Sequence, residues 1–511
     1  MNFYVTTPIY YVNDRPHIGH AYTTTIADVL ARYHRLFGDR VFFLTGTDEH
    51  GQKVKKAAET RGVTPQEHVD EYVKRFEQAW KEMGISYDYF IRTTFEFHKK
   101  VVQDSLAKLY EQGEIYSDDY EGWYSVGDEM FFTGKDLVDG KAPTGREVVK
   151  IVEKNYFFRM SKYQQQLIDY IQDNPKFIQP EGKRSEILGF LKQPLQDLCI
   201  SRPKSRLDWG VELPFDRQYV TYVWFDALLN YVTGIGYGQE DKDQKQFEAF
   251  WAEAVHLLGK DILTTHAVYW PTMLMALNIP LPKTIFAHGW WLNDDDGKMS
   301  KSSGPIVSHE HVIDLVGLEG LRYFLCREVR FGNDARYSDD ILVSRINSEL
   351  ANNLGNLASR TIGLVAKYFK GVPESRQQLD ETKELGKIAM ATALAVREQI
   401  DRLVLDEAIG SVIQLLDRTN QYLDKLEPWR TAKESPEDAA EALYTSLEVL
   451  RFVAVLLSPV MPEKMAELAK RIGWSGELKY EDLSSWGLLK AGAEVIKGQP
   501  LFPRIERQAV P

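Results

Sequence analysis

The chain has 511 residues, 44% of them hydrophobic and 27% charged, so it is too long for a single core and should divide into two to four domains. No apolar run reaches the ~20 residues of a membrane span, and MNFYVTTPIYY reads as a strand rather than a secretory signal, so a cytoplasmic protein without a membrane partner is expected. Two cysteines, Cys199 and Cys326, exclude a disulfide framework and a multi-cysteine metal site; the net charge of −12 argues only weakly against nucleic acid, which needs just a local basic surface.

The first 45 residues alternate in the manner of a nucleotide-binding fold. An apolar strand, Phe3 to Ile9, runs into a loop, Tyr10 to Arg15, and then a helix with Pro16 near its first turn. Tyr22, Ile26, Val29, Leu30, Tyr33 and Phe37 make its apolar stripe, and Gly38 sits where a C′ glycine ends it. The wholly apolar strand Val41 to Leu44 completes a βαβ unit, the start of a doubly wound, Rossmann-type parallel sheet. From about Tyr116 to Val220 short aromatic strands (Glu121 to Tyr124, Met130 to Thr133, Tyr156 to Arg159) and one helix, Lys162 to Gln172, read as an α/β insertion. Parallel-sheet character resumes at Tyr219 to Val223, His256 to Leu258 and Thr284 to Ala287.

Past about Arg345 only helical periodicity remains, which predicts an all-α bundle. Its stripes are Ile346, Leu350, Leu354, Leu357 and Leu364; Leu394, Leu403, Ile409 and Leu416; and Leu443, Leu447, Leu450 and Leu457. The expected domains are therefore 1–115 and 221–297 for the split sheet, 116–220 for the insertion, 298–345 for a connecting region and 346–511 for the bundle.

Two short motifs carry chemistry. His17-Ile18-Gly19-His20 lies where the first helix begins; the i, i+3 spacing puts both imidazoles on one face at the positive end of the dipole, and Gly19 lets a flat ligand approach the backbone. A phosphate there would meet free N–H groups as well as two histidines. Lys298-Met299-Ser300-Lys301-Ser302 sits in a loop of acidic, glycine and serine residues, Asp294 to Gly297 before it and Ser303-Gly304 after it. Alone, the first could be a chance tetrapeptide and the second a solvated lysine loop. Together, in this order and flanking a split parallel sheet, they are not.

Both motifs match letter for letter the signatures of the class I aminoacyl-tRNA synthetases, which this chain resembles. The resemblance implies ATP as substrate, attack of an amino-acid carboxylate on its α-phosphate, and transfer of the aminoacyl group to a tRNA ribose. It assigns the chemistry to His17, His20, Lys298 and Lys301, adds Gly19 and Ser300 to the ATP contacts, and gives Mg²⁺ the task of neutralising the leaving pyrophosphate. Rival readings are a sister enzyme or nucleotidyltransferase with the same motifs, and a non-enzymatic RNA-binding paralogue. A nucleotidyltransferase would not need the long helical third, which a synthetase uses for the anticodon, and a pure RNA binder would have no use for both motifs.

Within the class the chain most resembles the methionyl enzymes, from TTPIYYVNDRPHIGHAYT to PLFPRIE, through TGTDEHGQK, YVWFDALLNY, LLGKDIL, HAVYWP and NLGNLASR. Carried over by motif, the methionine pocket falls on Ile9, Tyr11, Asp48, Trp224, Ala227, Tyr231, Ile262, His266 and Trp270. Asp48 follows an apolar strand and can pair with the α-ammonium; aromatic faces suit a thioether by ~0.3–1.5 kcal/mol. Taken singly, Trp224 and Trp270 also fit a core. Gly259 and Asp261 match contacts to the ribose of ATP, and Arg202 is a candidate near the site. Asn356, Arg360 and Trp429 match the anticodon contacts, implying tRNA(Met), initiator included, as partner; singly they also fit a polar surface pair and a core aromatic. Where many relatives carry a zinc knuckle, this chain has Ser125 and Asp128, so no structural zinc is expected and no metal ligands are assigned. The bundle runs to Pro511 with no OB-like segment after it, so a monomer is expected.

Overall fold

Alternating apolar strands and helices build a parallel sheet wherever the connections are long enough to cross over, and the N-terminal half of the chain does so. The structure is a computed structural model that describes all residues except 13–15, 126–129, 133, 135, 293–306 and 507–511. It divides into two compact units, one formed by Met1–Pro16 with Val41–His288, the other by His17–Arg40 with Gly289–Pro511.

The first unit holds a seven-stranded sheet. Strand β1 (Asn2–Thr6) lies between β3 (Arg40–Asp48) and β13 (Ala254–Gly259), and β14 (Thr284–His288) follows β13. Two further strands pair with β3, the two-residue β2 (Tyr10–Tyr11) and β4 (Tyr89–Arg92), while β8 (Ile178–Gln179) closes the other edge on β14. The pairings β1 with β13, β13 with β14, β14 with β8, β2 with β3 and β3 with β4 are all parallel. The first strand stops three residues short of the expected Ile9, at Thr6, because Pro8 has no N–H for a ladder. The predicted loop after it contains β2.

Segment 116–220 contributes two small antiparallel sheets. One places β5 (Ile115–Ser125) between β6 (Met130–Phe132) and β7 (Val149–Phe158), with β9 (Leu198–Cys199) on β7; the other has β12 (Asp216–Thr221) between β10 (Ser201–Pro203) and β11 (Glu212–Leu213). The segment also sends β8 into the main sheet. Tyr219 to Val223 is the one predicted parallel strand that fails. Tyr219–Thr221 belongs to β12 and pairs antiparallel with β10, and a helix, Val223–Leu228, begins at once. Its apolar run is the same in either kind of sheet, so composition could not separate them.

The second unit is helical. Its first element is the histidine helix, Ile18–Leu36, closed as expected by Gly38 at φ +83°, whose N–H donates to the Arg35 carbonyl at 3.1 Å. Tyr33 Oη donates to the Leu456 carbonyl at 2.8 Å, and Asp28 accepts from Arg322 Nη2 at 2.6 Å, both side chains essentially inaccessible. Arg322 also donates to the carbonyls of Val460 and Pro459. Three 22-residue helices, Asp380–Asp401, Leu405–Leu426 and Pro436–Leu457, pack on one another. Of the predicted stripes, Leu403, Ile409, Leu416, Leu443, Leu447, Leu450 and Leu457 are buried, as are Ile346, Leu350, Leu354 and Leu357. Leu394 is instead 69% exposed: its neighbours Ala393, Val396 and Ile400 form the buried stripe, and position 394 is rotated off it. Leu364 is half-buried.

Removing one partner of a buried ion pair strands the other. Arg322→Ala is expected to cost about 3–5 kcal/mol, read as a lower urea midpoint, whereas the paired apolar replacement Asp28→Leu with Arg322→Met should recover most of it.

Candidate active site

Parallel pairing brings the predicted residues of the first unit toward one another. Tyr11 and Asp48 are register partners on β2 and β3. Asp48 is 2% exposed, and Lys53 Nζ lies 4.9 Å from the centroid of the Tyr11 ring. On the far side of β1, β13 ends at Gly259 and the chain turns through Lys260–Ile262 into a π-helical turn, Thr265–Tyr269, and the helix Trp270–Leu277. Trp224 and Ala227 lie on the helix Val223–Leu228, and Tyr231 on the short helix Asn230–Thr233.

These elements converge in one aromatic cluster. The Trp224 and His266 rings meet edge to face at 6.1 Å, Tyr231 lies 6.0 Å from Trp270, and Tyr231 Oη is 2.8 Å from His266 Nε2. His266 Nδ1 donates to the Ile262 carbonyl at 2.9 Å, so its other nitrogen is an acceptor and the phenol of Tyr231 is the donor. Burial holds His266 at about 4, overriding that carbonyl and the charge of Asp261, so the ring is neutral around pH 7. The Tyr231 phenol is pushed up, first by burial and then by neighbours that include the charge of Asp48. Ile9 and Ile262 are partly buried against the core that holds Tyr231 and Trp270, and Ala227 is buried. Gly259 packs closely on its neighbour: a Cβ there would stand 2.6 Å from Asp261 Oδ1. The two predicted ribose residues thus share one turn.

Arg202 is buried among aromatic rings. It is 3% exposed, its guanidinium 5.1 Å from the Tyr124 ring and 4.7 Å from the Tyr222 ring, with Nη1 donating to the Ser201 carbonyl at 2.7 Å. Ser125 is buried near the end of β5, and Asp128 lies outside the described residues. No group of three or more His, Cys, Asp or Glu residues that could hold a metal occurs among the described residues.

One buried network escaped the sequence reading. Asp226, on the Trp224 helix, accepts from His50 Nδ1 at 2.6 Å and from His98 Nε2 at 2.9 Å, and His98 Nδ1 meets Thr233 Oγ1 at 2.7 Å. His50 is two residues from Asp48, so the network ties the Asp48 loop to the helices carrying Trp224 and Tyr231. An aspartate inside the apolar block VWFDALLNYV was the available signal. Glu49 is clamped as well, by Arg92 Nε at 2.7 Å and Nη2 at 3.0 Å.

In the second unit, the histidine turn is a capping box built from imidazoles. His17 caps the helix, its Nδ1 accepting from Gly19 N–H at 3.1 Å, and His20 Nδ1 accepts from His17 N–H at 3.2 Å. The rings are 3.9 Å apart. The Ile18 N–H donates to the Val307 carbonyl at 3.3 Å. The expectation of free amides at this terminus is therefore corrected: those of residues 17, 18 and 19 already have acceptors. An Nδ1 that accepts leaves the proton of a neutral ring on Nε2. Lys298, Ser300 and Lys301 lie outside the described residues; Val307, which caps Ile18, is the first described residue after them.

Farther along the second unit, Asn356 and Arg360 stand one turn apart on the helix Asn356–Tyr368. Arg360 lies 5.3 Å from the centroid of the Trp429 ring and bridges Asp424 at 2.7 Å. Trp429 follows Glu427, whose φ of +42° turns the chain sharply from one helix into the next, and its ring is 37% exposed rather than buried in a core.

Comparison with known proteins decides the family. A family model described as tRNA synthetases class I (M) matches residues 3–148 and 136–362, and one for the anticodon binding domain of methionyl tRNA ligase matches 372–510. A methionine–tRNA ligase of Caldanaerobacter subterraneus subsp. tengcongensis is 47% identical over 510 residues, 99% of this chain and 79% of the relative. This chain belongs to the methionine–tRNA ligase family. The Bacillus subtilis ligase is 44% identical, covering 99% of this chain and 78% of its own. Among solved structures, Mycobacterium tuberculosis methionyl-tRNA synthetase bound by methionyl-adenylate superposes with a TM-score of 0.93 at 39% identity, over 98% of this chain and 100% of that one. Its free state gives 0.87 at 37%, with 99% of each chain covered. The Rossmann-type sheet and helical C-terminal domain are those of a methionine–tRNA ligase.

The buried Asp226 has a pH signature. Burial alone would raise it, but His50 and His98 outweigh burial and hold it at about 2. A carboxylate lowered in the folded state stabilises above its unfolded value near ~4, and that contribution is lost as pH falls through about 2. The stability gap between the native chain and Asp226→Asn is therefore expected to narrow by about 2 kcal/mol between pH 6 and pH 2 in urea titrations. A gap constant with pH would mean that Asp226 is not ionised.

Proposed function

We propose that the chain acts as a methionine–tRNA ligase through the residues described above, with methionine in the aromatic cluster and its α-ammonium on Asp48. The reading is supported by one observation above others: a buried carboxylate in register with Tyr11, its charge felt by a phenol that shares a cluster with Trp224, His266 and Trp270. A fixed anion beside polarizable rings suits a small zwitterion with a thioether side chain.

In the first step a methionine carboxylate oxygen attacks the α-phosphorus of ATP, the bond to the bridging oxygen breaks, and pyrophosphate leaves. The carboxylate is already ionised at neutral pH, so the enzyme supplies placement and charge stabilisation rather than a base. We assign the phosphate chain to the Nε2–H groups of His17 and His20 and to Lys298, Ser300 and Lys301, and the ribose to Gly259 and Asp261. Gly19 allows the nucleotide to approach the turn. Mg²⁺ bound with the triphosphate would neutralise the charge of the leaving pyrophosphate. In the second step a terminal ribose hydroxyl of tRNA attacks the adenylate carbonyl and AMP leaves. The partner is a CAU-anticodon tRNA(Met), the initiator included, read by Asn356 and Arg360 and stacked on Trp429. The cytoplasm, where charged tRNA is used, is the location we assign.

ATP–pyrophosphate exchange tested with each amino acid in turn is the direct test, and exchange with any acid but methionine alone would overturn the assignment. Asp48→Asn is expected to raise the KM for methionine about a hundredfold, by loss of a buried charge pair worth ~3 kcal/mol, with the KM for ATP unchanged. Lys301→Ala should keep methionine binding and lose exchange by two or more decades, since one preorganised donor supplies ~3–4 kcal/mol. In tRNA charging, Trp429→Ala should raise the KM for tRNA roughly tenfold to a hundredfold while exchange stays normal, as one lost base stack of ~1–3 kcal/mol requires.

A further inference from the structure

His256 is not among the positions assigned to substrate by motif, yet it is bonded to one of them, Trp270, and its ring packs on another, Tyr231. It sits on β13 with no accessible surface, in register with Thr6 of β1. Thr6 Oγ1 is 2.8 Å from His256 Nδ1, and Trp270 Nε1 donates to His256 Nε2 at 3.2 Å. The ring lies 4.3 Å from that of Tyr231 and 5.8 Å from that of Trp251.

These contacts admit a single protonation state. An indole N–H is only ever a donor, so Nε2 must be the acceptor, the proton is on Nδ1, and it points at Thr6 Oγ1. Burial, with the nearby His266 second, pushes His256 well below its ordinary value, so the neutral ring persists through the physiological range. A histidine so held cannot rotate or change tautomer without leaving a buried donor unpaired. The Trp270 indole is held by its bond to this ring, and the Tyr231 ring packs against it.

We propose that His256 is a specificity-determining positioning residue, which through Thr6 and Trp270 sets the aromatic walls around the methionine side chain. The inference rests on reading this cluster as the methionine pocket. It predicts a defect confined to amino-acid binding, because the groups assigned to the phosphates are untouched.

The test is methionine-dependent ATP–pyrophosphate exchange, with KM and kcat measured separately for methionine and ATP. His256→Phe keeps the ring and its stack on Tyr231 but removes the acceptor; KM for methionine should rise tenfold or more, with kcat within about twofold and the KM for ATP unchanged. His256→Gln restores an acceptor and should bring KM back to within about threefold of the native value. Trp270→Phe deletes the donor, so adding His256→Phe to it should raise KM no further. Thr6→Val is a milder variant of nearly equal volume; it removes the partner of Nδ1, leaves that buried donor unpaired, and should raise the KM for methionine several-fold. An unchanged KM in both His256→Phe and Thr6→Val overturns the proposal, as does an undiminished tenfold effect in the Trp270→Phe background. If the unaltered chain shows no exchange with methionine, the pocket reading itself fails; normal exchange there with no effect of these variants sinks the role of His256 alone.

Discussion

Parallel pairing of β1, β3 and β13 is the constraint from which the candidate site follows. Strands that run the same way end and release their following loops at the same edge of the sheet, and here those strand ends and loops carry Ile9, Asp48, and Gly259 with Asp261. Segments more than two hundred residues apart in the chain thus come within side-chain reach, positioned by backbone ladders that are indifferent to sequence. A ligand that needs an anion, an apolar wall and a bare stretch of backbone can find all three at such an edge.

Behind this edge the polar groups are buried and paired. Asp226 joins two histidines, Glu49 is clamped by Arg92, and His256 bonds on both of its nitrogens. Each such group costs free energy if it moves, because displacement would leave a donor or acceptor unmet in a low-dielectric interior. That cost converts adaptable aromatic side chains into fixed walls. The second unit uses the same device at the histidine turn, where two imidazoles satisfy the helix's own amides. At the far helices an arginine held by Asp424 lies over a half-open indole, a flat surface of the kind on which a base can stack.

How much of this could be read from the chain alone differs from element to element. The strands around Val5, Leu44 and Leu257 announce themselves by unbroken apolar runs, and the histidine helix by its stripe and by Gly38. The pocket residues came from motif resemblance rather than periodicity, and the structure draws Trp224, Tyr231, His266 and Trp270 together while placing Arg202 deep among tyrosines. His50, His98, Asp226 and His256 were not legible in the chain, because nothing local marks a polar side chain whose partners lie as far as 128 to 250 residues away. Leu394 shows the opposite failure: leucine spacing on a helix specifies a stripe only once a neighbour decides which face is covered.

The sequence by itself therefore determined the class of fold, the two signature motifs and the family, since these depend on local periodicity and on contiguous residues. Tertiary structure alone decided which way Tyr219–Thr221 pairs, which amides of the histidine turn are already occupied, and which protonation state His256 must hold. Those are questions of who meets whom across the chain, and hydrogen-bond partners in a folded interior are assigned by packing rather than by neighbourhood in sequence.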